Sequence, residues 1–142
     1  MDKGVGTCAI AAALQRNVTE GHIGRGYTTE VNPEASFLVR GGYTKHCTIL
    51  HGDSLRSLPA FPGPVDLLIN DRNQSAGYEA AEYAALRDKL AHGALIFGDN
   101  AHVTDRLLHF AQETGRRFLY FQERPRDHWY PGAGIGVAFD QV

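Results

Sequence analysis

The sequence has few of the features that mark secreted, membrane and nucleic-acid-binding proteins. Its 142 residues include only two cysteines, Cys8 and Cys47, in no CxxC or Cys/His cluster, so we expect neither a disulfide framework nor a structural zinc site. No apolar run approaches the roughly eighteen residues that a membrane-spanning helix needs. A formal net charge of -2 gives no overall field that would attract nucleic acid or an anionic membrane. The sequence therefore predicts a cytoplasmic protein that binds neither.

The remaining composition is that of an ordinary globular chain. Hydrophobic residues make up 43% and charged residues 21%, with 16 glycines and 6 prolines. There is no internal repeat and no linker rich in proline or serine, because the glycines and prolines fall between periodic segments. We therefore predict a single domain over residues 1–142.

Strands and helices alternate along the predicted elements of the first half. The turn Gly4-Val5-Gly6 leads into an alanine-rich segment, which predicts a helix that Thr7 caps. Asn32-Pro33 has the form of a second helix start. The predicted elements are a helix over 7–17, a strand over 27–31, a helix from 33 to the glycines at 41 and 42, and a strand over 47–51.

The second half repeats this alternation. The continuous apolar run 65–69 is typical of a parallel strand buried on both faces. Further strands are predicted over 94–97, 118–122 and 135–139, and helices over 75–91 and 104–114. Alternating strands and helices indicate an α/β fold with a mostly parallel sheet. The last two strands have no clear helix between them, so we expect an antiparallel C-terminal edge.

Acidic residues follow the predicted strands. They are Glu30, Asp53, Asp71 and the pair Asp99-Asn100. Ligands bind outside the carboxyl ends of the strands in open α/β sheets. Any single Asp or Asn is more often a helix cap or turn former, but the whole series indicates a ligand site.

The opening segment Asp2-Lys3-Gly4-Val5-Gly6-Thr7-Cys8 resembles the first motif of class I S-adenosylmethionine-dependent methyltransferases, with Cys8 in place of the third glycine. The resemblance implies a Rossmann-like three-layer α/β/α sandwich. It also implies a cofactor site in which Glu30 holds the ribose and Asp53-Ser54 lie near the adenine. The implied cofactor-binding residues are Asp2, Gly4, Gly6, Glu30, Asp53 and Ser54.

The segment 65–102 is similar to the small-molecule O-methyltransferases of the catechol, caffeoyl-coenzyme A and macrocin types. That family holds a divalent cation with residues that correspond here to Asp71, Asp99 and Asn100, and Mg²⁺ prefers such oxygen ligands. Asp71 and His102 are the candidate catalytic residues, His102 as a general base. In the competing interpretation Asp99 and Asn100 cap the following helix, and Asp71 pairs with Arg72.

One feature departs from the family. An apolar first strand should precede the glycine motif and lie in the middle of the sheet, but only three residues precede Gly4. We therefore expect this strand to be truncated or missing. The explanations left open are a truncated or misassigned start, another segment or subunit that fills the gap, and a decayed fold. An exposed central edge or apolar face would favour a homo-oligomer.

These residues favour an S-adenosylmethionine-dependent methyltransferase. The expected reaction is O-methylation of a small molecule with divalent-metal assistance. The alternative is a non-catalytic or truncated methyltransferase-like module used for binding or assembly. A dinucleotide-binding oxidoreductase is a weaker third candidate, because the glycine pattern lacks its full register even though Ala9 occupies the last position.

Overall fold

The computed structural model describes residues 3–71, 75–99, 101–129 and 132–141. They form two compact units, Met1–Ala60 and Phe61–Val142. Each unit combines a β-sheet with helices, so the predicted α/β class is confirmed. No helix of the described residues is both long and apolar enough to cross a membrane.

The first unit is built on a pair of parallel strands. Its elements are α1 (Val5–Thr19), β1 (Gly26–Glu30), the 3₁₀ helix Gly41–Lys45, β2 (Cys47–His51), α2 (Ser54–Ser57) and the 3₁₀ helix Leu58–Ala60. Glu30 is the register partner of His51 at the carboxyl ends of the two strands. The buried hydroxyls of Thr7 and Thr28 are 3.0 Å apart, which joins the first turn of α1 to β1.

The prediction of a helix from Pro33 to Gly41 is wrong. The Asn32 side chain accepts a hydrogen bond from the N–H of Glu34 at 3.0 Å, so it closes a turn instead of capping a helix. Ser36 then has a φ of 62°, which a right-handed helix does not allow. Turns therefore lead to the 3₁₀ helix that begins at Gly41.

The second unit holds a four-stranded sheet. Its elements are β3 (Val65–Asn70), α3 (Ala76–Leu86), the 3₁₀ helix Arg87–Lys89, β4 (Leu90–Gly98), α4 (Arg106–Glu113), β5 (Arg117–Gln122) and β6 (Gly134–Phe139). The strand order is β3-β4-β6-β5. β3 and β4 are parallel, whereas β6 runs antiparallel to both β4 and β5. The predicted antiparallel C-terminal edge is therefore confirmed.

Both helices of this unit contribute to one core on one face of the sheet. The buried cluster consists of Tyr83, Ile96, Leu107, Phe110, Ala111 and Ala138. The Tyr83 and Phe110 rings, one from each helix, have centroids 5.3 Å apart. The alternation of side chains along β4 and β6 brings Ile96 and Ala138 to this face as register partners.

The opposite face of the same sheet is more exposed than the sequence predicts. Leu67 and Ile69 of β3 are each 48% exposed, so the expectation that this strand is buried on both faces is wrong. Among the described residues, β3 pairs only with β4 and β1 only with β2.

We expect the stability of the protein to fall at high pH because of Tyr83. Burial, and then the neighbouring Glu79 carboxylate, raise the pKa of Tyr83 above its ordinary value of 10.0. The folded state therefore keeps this phenol protonated while the unfolded state ionises, which costs up to about 1.4 kcal/mol per pH unit above pH 10. Urea unfolding at about pH 8 and about pH 11 measures this loss, which Tyr83→Phe should reduce. The half-exposed Tyr27 supplies the control variant, Tyr27→Phe; equal effects of the two substitutions would contradict the assignment.

Candidate functional site

Gly4 begins α1 and must be glycine for two reasons. Its φ of 89° lies in the left-handed region. A Cβ atom there would lie 2.9 Å from Val39 Cγ2 and 3.0 Å from Ser36 Cα, so a side chain has no room. α1 has no side-chain cap, and N–H groups of a first helical turn lack acceptors inside the helix.

The start of α1 differs from the prediction in two details. The helix begins at Val5, so Gly6 is an exposed residue of its first turn and only Gly4 forms the turn before it. Thr7 does not cap the helix, because it is inside α1 and its hydroxyl contacts Thr28. Asp2 is outside the described residues. Gly4 is buried, so the exposed backbone at the start of α1 is that of Val5 and Gly6.

Glu30 ends β1 and is only 5% exposed. Its Oε1 accepts a hydrogen bond from the N–H of Asn32 at 2.9 Å. Its carbonyl accepts from the N–H of Gly52 at 2.8 Å, which ties the end of β1 to the turn after β2. A carboxylate held in this way is oriented before any ligand arrives.

Asp53 and Ser54 follow that turn. The Asp53 side chain caps α2 by accepting a hydrogen bond from the N–H of Leu55 at 3.0 Å. Asp53 therefore has the helix-capping role that is common for an aspartate after a strand. Ser54 is fully buried. Gly4, Glu30 and Asp53 thus lie toward the same end of the first unit, since Thr7 of the first turn contacts Thr28, two residues before Glu30.

The second unit brings two carboxylates to neighbouring strand ends. Asn70 and Gly98 are register partners at the ends of β3 and β4, and Asp71 and Asp99 are the next residues. The N–H of Asp99 donates to the carbonyl of Asn70 at 2.8 Å. The N-cap of α4 is Asp105, so Asp99 does not cap that helix.

The other candidates of this edge are less defined. His102 is exposed in the turn that follows Asp99. Asn100 and Arg72 lie outside the described residues, so neither the third proposed ligand nor the Asp71–Arg72 pair is described. Within the described ranges no group of three or more His, Cys, Asp or Glu side chains is arranged to hold a metal ion.

The structure shows a partly buried polar network that the sequence analysis missed. Tyr83 donates its hydroxyl hydrogen bond to Glu79 Oε1 at 2.8 Å, and Thr104 donates to Glu79 Oε2. Glu82, 6% exposed, accepts from Asn70 Nδ2 at 3.0 Å. Helical spacing placed Tyr83 on the buried face of α3, but it carries no signal that two glutamates beside it are hydrogen-bonded there.

Both cysteines are free thiols. Cys47 is 3% exposed, and this burial raises the pKa of its thiol. A thiol with a raised pKa is a poor nucleophile, so Cys47 acts as a small buried apolar residue.

Comparisons with known structures agree on the fold. An O-methyltransferase from Bacillus cereus in complex with SAH superposes with a TM-score of 0.61 at 15% identity, over 87% of this chain and 67% of that one. The O-methyltransferase TomG from Streptomyces achromogenes, in complex with SAM, gives a TM-score of 0.62 at 16% identity, over 84% of this chain and 63% of that one. An rRNA methylase from Streptococcus thermophilus superposes with a TM-score of 0.62 at 12% identity, over 86% of this chain and 76% of that one.

The chain spans less than two thirds of the length of TomG. A search of curated protein sequences finds no match. The model of a methyltransferase domain family, however, matches residues 1–101, which is more than half of the chain. The glycine start of α1, the buried acid after β1 and the paired acids after β3 and β4 all lie within that range, and the chain belongs to this methyltransferase domain family.

Proposed function

We propose that this protein binds S-adenosylmethionine and transfers its methyl group to an acceptor. The observation that carries the proposal is the buried Glu30 carboxylate at the end of β1, which is oriented by Asn32 and lies toward the same end of the first unit as the start of α1. A carboxylate in this position can accept hydrogen bonds from both ribose hydroxyls of the cofactor. The backbone N–H groups of the exposed Val5 and Gly6, in the first turn of α1, are the candidate donors to the cofactor.

The transfer needs little covalent chemistry from the protein. The acceptor oxygen forms a bond to the methyl carbon while the carbon–sulfur bond breaks, which leaves S-adenosylhomocysteine, and the acceptor proton passes to a base. Catalysis is then mainly the positioning of acceptor and methyl group in line. We propose His102 as the base, since it is exposed three residues after Asp99 and a neutral imidazole nitrogen can accept a proton from a hydroxyl.

We also propose that a divalent cation assists at the ends of β3 and β4. Asp71 and Asp99 follow register partners there, and two carboxylates on adjacent strands fit the oxygen preference of Mg²⁺. Asp71, Asp99 and Asn100 would hold the ion. Its chemistry when bound is to chelate acceptor oxygens and favour their deprotonated form.

A small-molecule acceptor, a cytoplasmic location and a single domain complete the proposal. The charge of -2 argues against RNA, although one similar fold is that of an rRNA methylase. The free thiols of Cys8 and Cys47 suit a reducing compartment. The family match over residues 1–101 spans parts of both compact units and so supports one domain, which a single cooperative unfolding transition would test.

Calorimetric titration of S-adenosylhomocysteine tests the cofactor site, with and without Mg²⁺. Methyl transfer from S-adenosylmethionine to a panel of catechols, phenols and a short RNA then tests the acceptor. Saturable binding with transfer to a phenolic oxygen is the expected result. Binding without any transfer would favour the non-catalytic module, and a folded protein that binds no cofactor would overturn the proposal.

We expect the chain to self-associate through the exposed sheet face of the second unit. Six large apolar side chains of this face are between 37% and 57% exposed: Leu67, Ile69, Leu95, Leu119, Phe121 and Ile135. Together they form one apolar patch to which all four strands of the sheet contribute. A contiguous exposed apolar patch of this kind is typical of protein–protein interaction sites.

Sedimentation of the 142-residue chain measures this prediction, with a second copy as the expected partner. Leu67→Ser combined with Leu119→Ser should shift the protein toward the monomer. Ile23→Ser is the control, because Ile23 is 93% exposed in the first unit. A wild-type protein that stays monomeric at about 0.1 mM, well above the micromolar Kd of a weak dimer, would refute the prediction.

A further inference from the structure

Residues 99–105 join β4 to α4 and carry three of the candidate site residues, of which Asp99 and His102 are among the described residues. Its described residues, 99 and 101–105, lie in no helix or strand, so their position depends on side-chain and turn contacts. Its first residue is held by the hydrogen bond from the Asp99 N–H to Asn70, and the Ala101 N–H donates to Gly134 at 3.0 Å. The contacts at its far end involve α3.

Glu79 supplies the contact at the far end. The carboxylate is half-buried in the first turn of α3, and its two oxygens accept from different elements. Oε1 accepts from Tyr83 on the same helix, and Oε2 accepts from the Thr104 hydroxyl, 25 residues along the chain. Hydrogen bonds from hydroxyls to an ionised carboxylate are among the stronger ones in proteins, so this bridge restrains Thr104 firmly.

The bridge acts near both ends of the segment. Thr104 Oγ1 also faces the N–H of Arg106 at 3.4 Å, where α4 begins. The Tyr83 hydroxyl lies 3.3 Å from the place that a Cβ atom of Gly98 would take, directly before Asp99. Glu79 therefore holds Thr104 at the far end of the segment, and the Tyr83 hydroxyl that it binds lies next to Gly98 at the near end.

We infer that Glu79 is a positioning residue of the methyl-transfer site: by bridging Tyr83 and Thr104 it holds segment 99–105 so that Asp99 stays beside Asp71. The inference rests on the proposed function for its catalytic meaning. Glu79 itself touches neither cofactor nor acceptor in this role. Its effect reaches the site through the segment it restrains.

Thr104→Val is the sharpest test, because valine keeps the shape of threonine and removes only the hydroxyl. Thr104→Ser is the matched control, since it keeps the donor and loses a methyl group. For Thr104→Val we expect amide hydrogen exchange in 99–105 to rise about tenfold, and kcat with the best panel acceptor to fall about tenfold, which is at the lower end of effects seen for outer-shell groups. The KM for S-adenosylmethionine should stay unchanged, and Thr104→Ser should resemble the wild type.

Glu79→Gln is the second variant, used if Thr104→Val does not fold. It keeps the size of the side chain and removes its charge, so exchange in 99–105 should also rise. Unchanged exchange in both variants would overturn the inference, as would equal losses in Thr104→Val and Thr104→Ser. A wild type that transfers no methyl group would count against the proposed function, while the exchange measurements would still decide whether Glu79 positions the segment.

Discussion

Replacing Glu30 with alanine is expected to weaken the binding of S-adenosylhomocysteine by about a hundredfold or more. The buried carboxylate would accept two ribose hydroxyls, and a hydrogen bond to a charged group contributes about 1.5–3 kcal/mol. Two such bonds correspond to at least about a hundredfold in Kd, since each 1.4 kcal/mol is tenfold. Calorimetric titration of wild type and Glu30→Ala measures the difference directly.

Two further variants make this result specific. Glu34→Ala removes an exposed carboxylate four residues away and should leave the affinity unchanged. Glu30→Gln keeps one acceptor oxygen and should fall between wild type and Glu30→Ala. Thermal unfolding of each variant checks that the loss of a buried side chain has not unfolded the protein. Wild-type affinity in a folded Glu30→Ala protein would show that Glu30 does not hold the ribose.

The second large effect is expected at Gly4. Gly4→Ala should lower the free energy of unfolding by about 3 kcal/mol, because two costs add. Alanine at a φ of 89° costs about 1–2 kcal/mol, and its Cβ would press on the backbone of Ser36 and on Val39 at about 3 Å, which costs a similar amount. Urea unfolding gives the free energy.

Gly21 provides a matched control for the steric part. Its φ of 86° is close to that of Gly4, but an added Cβ would meet nothing within 4 Å. Gly21→Ala should therefore cost only about 1 kcal/mol, which is the conformational part alone. If both substitutions cost the same, the close approach of the Ser36–Val39 segment to the start of α1 would not contribute to stability.

Local patterns predicted the elements well where a single local signal dominated. The strand 47–51 has the predicted bounds, and the alanine-rich segment is helical as expected, because β-branched and alanine-rich runs have strong preferences of their own. The helix after Asn32-Pro33 failed for an equally local reason. Asparagine can cap a helix or close a turn on its own backbone, and the two outcomes share one sequence signal.

For the candidate site, too, the sequence predicted some features and left others to the structure. Its acids could be predicted at Glu30, Asp71 and Asp99, because the end of a strand can be located from the end of an apolar run. The side-chain roles could not be predicted. Asp53 caps α2, and Ser54 is buried, which depends on how the turn after β2 packs.

The sequence by itself determined the order of the strands and of the three longer helices α1, α3 and α4, the acids that end the strands and the family to which the chain belongs. These follow from periodicity and from short motifs of neighbouring residues. Only the tertiary structure decided that Glu79, Tyr83 and Thr104 form one network and that one face of the four-stranded sheet is exposed. Contacts between residues far apart in the chain depend on how elements pack against one another, and no local pattern records that packing.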